Sequence, residues 1–255
     1  MKICLNTHNL AGDFSLEELI QVCKRQGIGG IEFSVGYGHK HGVELETPGE
    51  EILDIRERLY GEGLETVSIA TYCRFDGKEE DEIARNVEDA KKGIILASQM
   101  GAPVFRVVGN DLPDFISRDA FIERISKILG ELGDFARDYG VKVLLNMHGT
   151  FQFRKDMQAV MRKCAERNCG LVYNCDDGDL VGGSAELTLG EVMPYLAHVH
   201  MHEMLGIFPY KEMFGILKSH GYKGWFSIVV DEPSCEPERM IGYYKRLAEA
   251  LYTSA

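Results

Sequence analysis

Residues Phe121 to Met147 read FIERISKILGELGDFARDYGVKVLLNM, and the fold class follows from them. Phe121, Ile125, Ile128, Leu132, Phe135 and Tyr139 recur at spacings of three and four, which puts one apolar face along an amphipathic helix. Gly140 then offers a left-handed residue at the point where the helix must stop. VKVLLNM is a short, nearly continuous apolar run, the pattern of a parallel strand covered by helices.

The same unit runs through the whole chain. Strand patterns start near Lys2 (KICLNT), Gly30 (GIEFS), Glu65 (ETVSIAT), Pro103 (PVFRVV), Val141 (VKVLLNM), Gly170 (GLVYNC), Ala197 (AHVHMH) and Trp225 (WFSIVV). Their mean separation is about 32 residues, close to the ~30 that one βα unit occupies. Ile83, Val87, Ala90, Ile94 and Ala97 mark a second amphipathic helix, and Gly27, Gly63, Gly101 and Gly221 follow helical patterns as Gly140 does. Eight such units in 255 residues predict an α/β protein, a single (β/α)8 TIM barrel spanning 1–255. An open doubly wound sheet would carry a Gly-rich phosphate loop after an early strand, whereas NTHNLAGDF follows the first strand here and contains no G-x-G-x-x-G.

Composition narrows the partners. The chain has 28 Lys+Arg against 40 Asp+Glu, a formal charge of −12. That balance disfavours nucleic acid and anionic membrane surfaces, both of which need a positive footprint. No apolar run is long enough for a membrane span, and the N-terminus lacks the apolar core of a signal peptide. Seven cysteines, an odd number, fall mostly inside apolar patterns and include no C-x-x-C. They are expected as free thiols in a cytoplasmic protein.

In such a barrel the chemistry sits at the C-terminal ends of the strands. The polar residues there are Asn6, Thr7 and His8; Glu32 and Ser34, followed by Tyr37, His39 and His41; Thr71, Tyr72 and Arg74; Arg106, Asn110 and Asp111; Asn146 and His148; Asn174, Asp176, Asp177 and Asp179; His198, His200, His202 and Glu203; and Asp231 and Glu232. His198, His200 and His202 alternate and so share a strand face, as do Asn146 with His148 and Asn174 with Asp176. Imidazoles and carboxylates converging from several strand ends are the chemistry of a divalent metal or of proton transfer. His8, His39 and His41 also read as hydrogen-bonded core or surface residues, and Asp176 to Asp179 also read as a solvated loop. Arg106, flanked by apolar residues in VFRVV, needs an anionic partner: either the substrate, which it would clamp, or Glu32 in a structural ion pair.

The segments GIGGIEFS, GAPVFRVVG, VKVLLNMHGT, GLVYNCDDGDLVGG, LAHVHMHE and GYKGWFSIVV, in this order over essentially the whole chain, resemble the xylose isomerase-like TIM barrels. The resemblance implies an isomerase or epimerase of a small polyol or keto-sugar, working by proton abstraction next to a carbonyl. It also implies one divalent ion (Mn, Mg, Zn or Fe) and a homo-oligomer. The family's four ligands, Glu, Asp, His and Glu on the fifth to eighth strands, fall on Asn146, Asp176, His200 and Val229, with Asn174 one notch away from Asp176. Both glutamates, the proton-moving groups, are therefore replaced. This leaves open a metal held by a rebuilt set of His148, Asp176 and His200, or no metal at all. His148, His200 and Asp176 are then the candidate catalytic groups, with Arg106, Asn146, His202, Glu203 and His8 around the substrate. A keto-sugar lyase or C-glycosyl-cleaving enzyme, and a barrel that binds a ligand without catalysis, remain as alternatives.

Overall fold

The computed structural model describes residues 1–231 and 234–255. The predicted strand at Val141 is β5, Lys142–Asn146, and the helix before it is α4, Arg118–Arg137. The other strands are β1 (Lys2–Asn6), β2 (Gly30–Ser34), β3 (Glu65–Ala70), β4 (Val104–Val107), β6 (Cys169–Tyr173), β7 (Leu196–Met201) and β8 (Trp225–Ile228). All pair in parallel, and β1 pairs with both β2 and β8, so the sheet closes into an eight-stranded barrel in sequence order. The outer helices are α1 (Leu16–Gln26), α2 (Gly49–Gly61), α3 (Glu80–Met100), α4, α5 (Arg154–Cys164), α6 (Glu186–Val192), α7 (Tyr210–Ser219) and α8 (Pro237–Ser254). The (β/α)8 reading holds in every unit.

Local chemistry sets the helix ends. Ser15 caps α1, its hydroxyl accepting from the Glu18 amide while the Glu18 carboxylate takes the Ser15 amide. The buried faces follow the apolar period, with Phe121, Ile125, Leu129 and Leu132 of α4 fully enclosed. They pack between the strands and the neighbouring helices, the layer that supplies most of the barrel's hydrophobic stabilisation. No helix is long and apolar enough to cross a membrane among the described residues. All seven cysteines are free, six of them buried.

Inside the barrel the side chains are less apolar than the outer layer. Glu32, Ser34, Ser68, His198, His200 and Ser227 are all essentially inaccessible. These polar residues form a layer just beneath the strand ends. Glu232, predicted among the eighth-strand polar residues, lies outside the described residues.

Candidate active site

Six predicted site residues, His8, Arg106, Asn146, His148, His200 and His202, line one cavity of about 200 Å³ at the C-terminal strand ends, together with Asn174, Val229 and Asp231. The other two, Asp176 and Glu203, line an adjoining groove of about 700 Å³ that shares His148 and His202 with the cavity. His148 is exposed on the loop after β5. That loop is seated by Gly109, where a Cβ would come within 2.2 Å of the His148 carbonyl oxygen and 2.6 Å of that of Asn146.

Glu32 organises the floor. Its Oε2 accepts from Asn6 Nδ2 at 2.8 Å and Ser227 Oγ at 2.6 Å, and lies 3.0 Å from His200 Nε2 and 3.6 Å from His198 Nε2. Burial alone would raise the Glu32 carboxyl, but the two imidazoles outweigh it and hold it well below the usual range. Burial lowers His200 to about 4, so near neutral pH it is an uncharged ring giving its Nε2 proton to Glu32. His200 is thus a floor residue bound to a carboxylate that belongs to another strand.

Asn174 connects floor and mouth. Its Oδ1 lies 3.2 Å from Asn146 Nδ2, 3.3 Å from His200 Nδ1 and 3.1 Å from His202 Nε2. Its Nδ2 donates to Asp176 Oδ2 at 2.8 Å, which fixes the orientation of the amide. Here the sequence expectation needs correction. Period two puts Asn174 and Asp176 on one face, yet β6 ends at Tyr173 and Cys175 turns the chain with φ 55°. Asp176 becomes the cap of the short turn Asp177–Asp179, and Asn174 takes the place in the cavity.

At the mouth, His202 Nδ1 donates to Asp231 Oδ2 at 2.8 Å, and Asn9 Nδ2 donates to Asp231 Oδ1 at 3.1 Å. The hydrogen bond from His202 holds the Asp231 carboxyl below its ordinary range. An aspartate on Nδ1 fixes the tautomer and turns Nε2 to the cavity, where it faces Asn174 Oδ1 at 3.1 Å and becomes a free base only once a bound substrate takes the place of that oxygen. Sequence spacing does not reveal the pairing of His202 with Asp231, which stands two residues past Val229 in the segment after β8.

Arg106 is buried, 7% exposed, and makes a hydrogen bond from Nη1 to the Thr71 carbonyl at 3.0 Å. The expected alternative, an ion pair with Glu32, is not formed: among the described residues no carboxylate lies within the 4.0 Å of a salt bridge to Arg106. Burial lowers its pKa, and burial together with the nearby guanidinium lowers that of His8. His41 is a core residue. Its Nδ1 accepts from the Val43 amide at 3.0 Å, and its Nε2 meets Thr7 Oγ1 at 3.2 Å. His39 stacks on Tyr37, and Glu203 accepts from the Leu205 amide at 2.7 Å, bracing the β7–α7 loop.

The rebuilt metal set His148, Asp176, His200 does not converge. The group that brings three donor atoms within 4.8 Å among the described residues is Glu32, His198 and His200. These are ligand types that a divalent transition metal takes, although here they engage one another and Asn6 and Ser227. With Asn174, the one-notch alternative to Asp176, in the cavity, the family's four ligand positions offer two amides, an imidazole tied on both sides and the isopropyl group of Val229. A hard divalent ion needs anionic oxygens that this ring lacks, so the family's ion does not fit it.

Comparison with known proteins follows the same line. The profile of a family described as xylose isomerase-like TIM barrel matches residues 20–247. A search of curated proteins finds no sequence match. Similar solved structures include 3-keto-D-glucoside 4-epimerase, YcjR, from E. coli, with a TM-score of 0.80, 14% identity, and 98% of this chain and 99% of that chain covered. The probable 3-DHS dehydratase AsbF of Bacillus anthracis gives 0.77 at 15% identity, covering 98% and 99%. The IOLI protein with a binding zinc atom gives 0.78 at 16%, covering 99% and 98%. At these identities the likeness shows the fold.

Proposed function

The chain belongs to the xylose isomerase-like TIM barrel family, and on that basis we propose that it is an isomerase or epimerase of a small polyol or keto-sugar that moves a proton at the carbon next to a carbonyl. The observation that carries this reading is the 2.8 Å bond between His202 and Asp231 at the mouth of the strand-end cavity. It is an oriented base where the family's carboxylate bases are missing.

His202 Nε2 takes the proton from carbon, and the electron pair of the broken C–H bond moves toward the carbonyl oxygen. His148, facing the same cavity, gives a proton to that oxygen. The intermediate is then a neutral enediol, which needs no hard cation to hold an oxyanion. Delivery of that proton by His202 to the neighbouring carbon, with the hydroxyl of the first carbon giving its proton to His148, completes an isomerisation; delivery by water to the opposite face of the first carbon, with His148 taking back the enediol proton and His202 releasing its own to solvent, completes an epimerisation. An imidazole suits both roles because one ring nitrogen can take a proton while the other gives one. Elimination starts with the same step, so a substrate with a leaving group beta to the lost proton would be cleaved by the same residues. The similarity to proteins described as an epimerase and a dehydratase supports this class of chemistry.

The test is hydrogen exchange. Keto-sugars incubated with the wild-type protein in D2O should gain deuterium at the carbon next to the carbonyl, and His202→Gln should lose most of that exchange while remaining folded. Undiminished exchange in the folded variant removes His202 from the mechanism. Absence of exchange across a broad keto-sugar panel favours a barrel that binds without catalysis.

A further inference from the structure

Folded proteins satisfy the great majority of their buried polar atoms. Three that are not satisfied surround one space. Arg106 Nε, His8 Nδ1 and Asn146 Oδ1 are buried without a hydrogen-bond partner, and all three residues line the 200 Å³ cavity. Arg106 and Asn146 are 7% and 4% exposed, and both line that cavity.

The pattern of donors and acceptors is specific. Arg106 uses Nη1 on the Thr71 carbonyl, which leaves the Nε–Nη2 edge without a protein partner among the described residues. That edge presents two parallel N–H groups, the fork that matches two oxygens of one anion. A buried cation without a contacting counter-ion is costly, so the fold carries an expense here that a bound anion would relieve. Asn146 Oδ1 is an acceptor and would take a hydroxyl proton, not an anion. His8 is kept neutral by burial and by Arg106, so it adds a polar contact without a second charge. Asp231, the carboxylate in the cavity wall, is engaged by His202 and Asn9.

We propose that this cavity takes a carboxylate-bearing polyol, a sugar acid or hydroxylated keto acid, with its carboxylate on the Nε–Nη2 edge of Arg106 and a nearby hydroxyl donating to Asn146 Oδ1. The proposal deepens the proton-transfer reading only in making the bound anion the substrate; the binding itself does not depend on it. His202 and His148 line the same cavity as Arg106, so a polyol seated there shares it with both imidazoles. The chain's charge of −12 argues against general anion attraction, so recognition must be local.

Titration calorimetry with D-gluconate, D-glucitol and inorganic phosphate tests this without a known reaction. Gluconate and glucitol carry nearly the same polyol and differ in the carboxylate. Wild-type protein should bind gluconate at least ~10-fold more tightly than glucitol, the scale of one charge-assisted bidentate contact. In Arg106→Gln that preference should collapse. Asn146→Asp is a second variant of almost unchanged shape: it adds a negative charge to the same cavity, and gluconate binding should fall while glucitol binding persists. Equal affinity for gluconate and glucitol, or no binding of either anion, overturns the proposal. Phosphate binding that depends on Arg106, with none for gluconate, overturns the carboxylate assignment and makes the anion a phosphate ester. Failure of the proton-transfer reading would look different: gluconate preference intact, with no carbon–hydrogen exchange in any substrate tried.

Discussion

His202 and Asp231 stand on different strand ends, 29 residues apart, with Nδ1 and Oδ2 separated by 2.8 Å. The pair is an oriented proton carrier in the cavity, and it sits where β7 and β8 leave the barrel. Asp231 does little for stability, since its side chain is 58% exposed. Asp231→Asn should therefore leave the melting temperature nearly unchanged while lowering turnover by roughly 10²-fold or more, because the amide can select the wrong imidazole tautomer. Parallel measurement of kcat and KM should place the loss in kcat. A loss confined to KM would make Asp231 a substrate contact instead of an orienting group.

Metal dependence follows from the donor set. The ring of Asn146, Asn174, His200 and Val229 holds no carboxylate, and the convergent triad found among the described residues, Glu32, His198 and His200, is already bonded internally. Protein purified without chelator should contain substoichiometric divalent metal, and EDTA should leave carbon–hydrogen exchange unchanged. Stoichiometric metal that disappears in Glu32→Gln would overturn this and place the ion in the triad.

The fold was legible because each βα unit carries its own signal. The period of three and four from Phe121 to Tyr139 needs no knowledge of the rest of the chain, and the strand starts follow from it. The cavity residues were legible for the same reason, as polar groups at strand ends in a barrel. What escaped were relationships set by where a strand stops and what lies across the barrel. Period two cannot distinguish Asn174 from Asp176; the left-handed Cys175 does, and it leaves no pattern in sequence. Glu32 and His200 meet across 168 residues of chain, and only closure of the barrel brings them together. The apolar flanks of Arg106 show in sequence that it needs an anion, and the structure narrows the choice by showing no ion pair with Glu32 among the described residues.

Gly109 offers a steric test of how the mouth is held. An added Cβ would press on the carbonyl oxygens of His148 and Asn146, which are backbone atoms and cannot swing aside. Gly109→Ala should cost about 1–3 kcal/mol, the usual range for overpacking, and should depress activity further by displacing His148. Gly190, inside α6 with nothing within 4 Å of an added Cβ, is the control. Gly190→Ala should be neutral or stabilising by roughly 0.5–1 kcal/mol. Equal effects of the two substitutions would show that the contact at Gly109 relaxes without consequence.

Acid sensitivity should trace in part to His41. Burial lowers its pKa from the ordinary 6.5 to about 3, and its Nδ1 accepts the Val43 amide, an arrangement that requires that nitrogen to be unprotonated. In the unfolded chain the ring titrates normally. Between these two values the unfolded state binds one more proton than the folded state, so stability falls as pH drops from about 6.5 toward 3 and is level for this group above that window. The integrated effect is on the order of a few kcal/mol. Urea unfolding at several pH values between 7 and 4 should show the wild type losing stability with acid. His41→Asn should start less stable at pH 7, having lost the contact with Thr7, and fall more shallowly by close to one proton's worth of slope. An unchanged slope in the variant would assign the acid sensitivity to other groups, with His200, lowered to about 4 by burial against the opposing pull of Glu32, the next to replace.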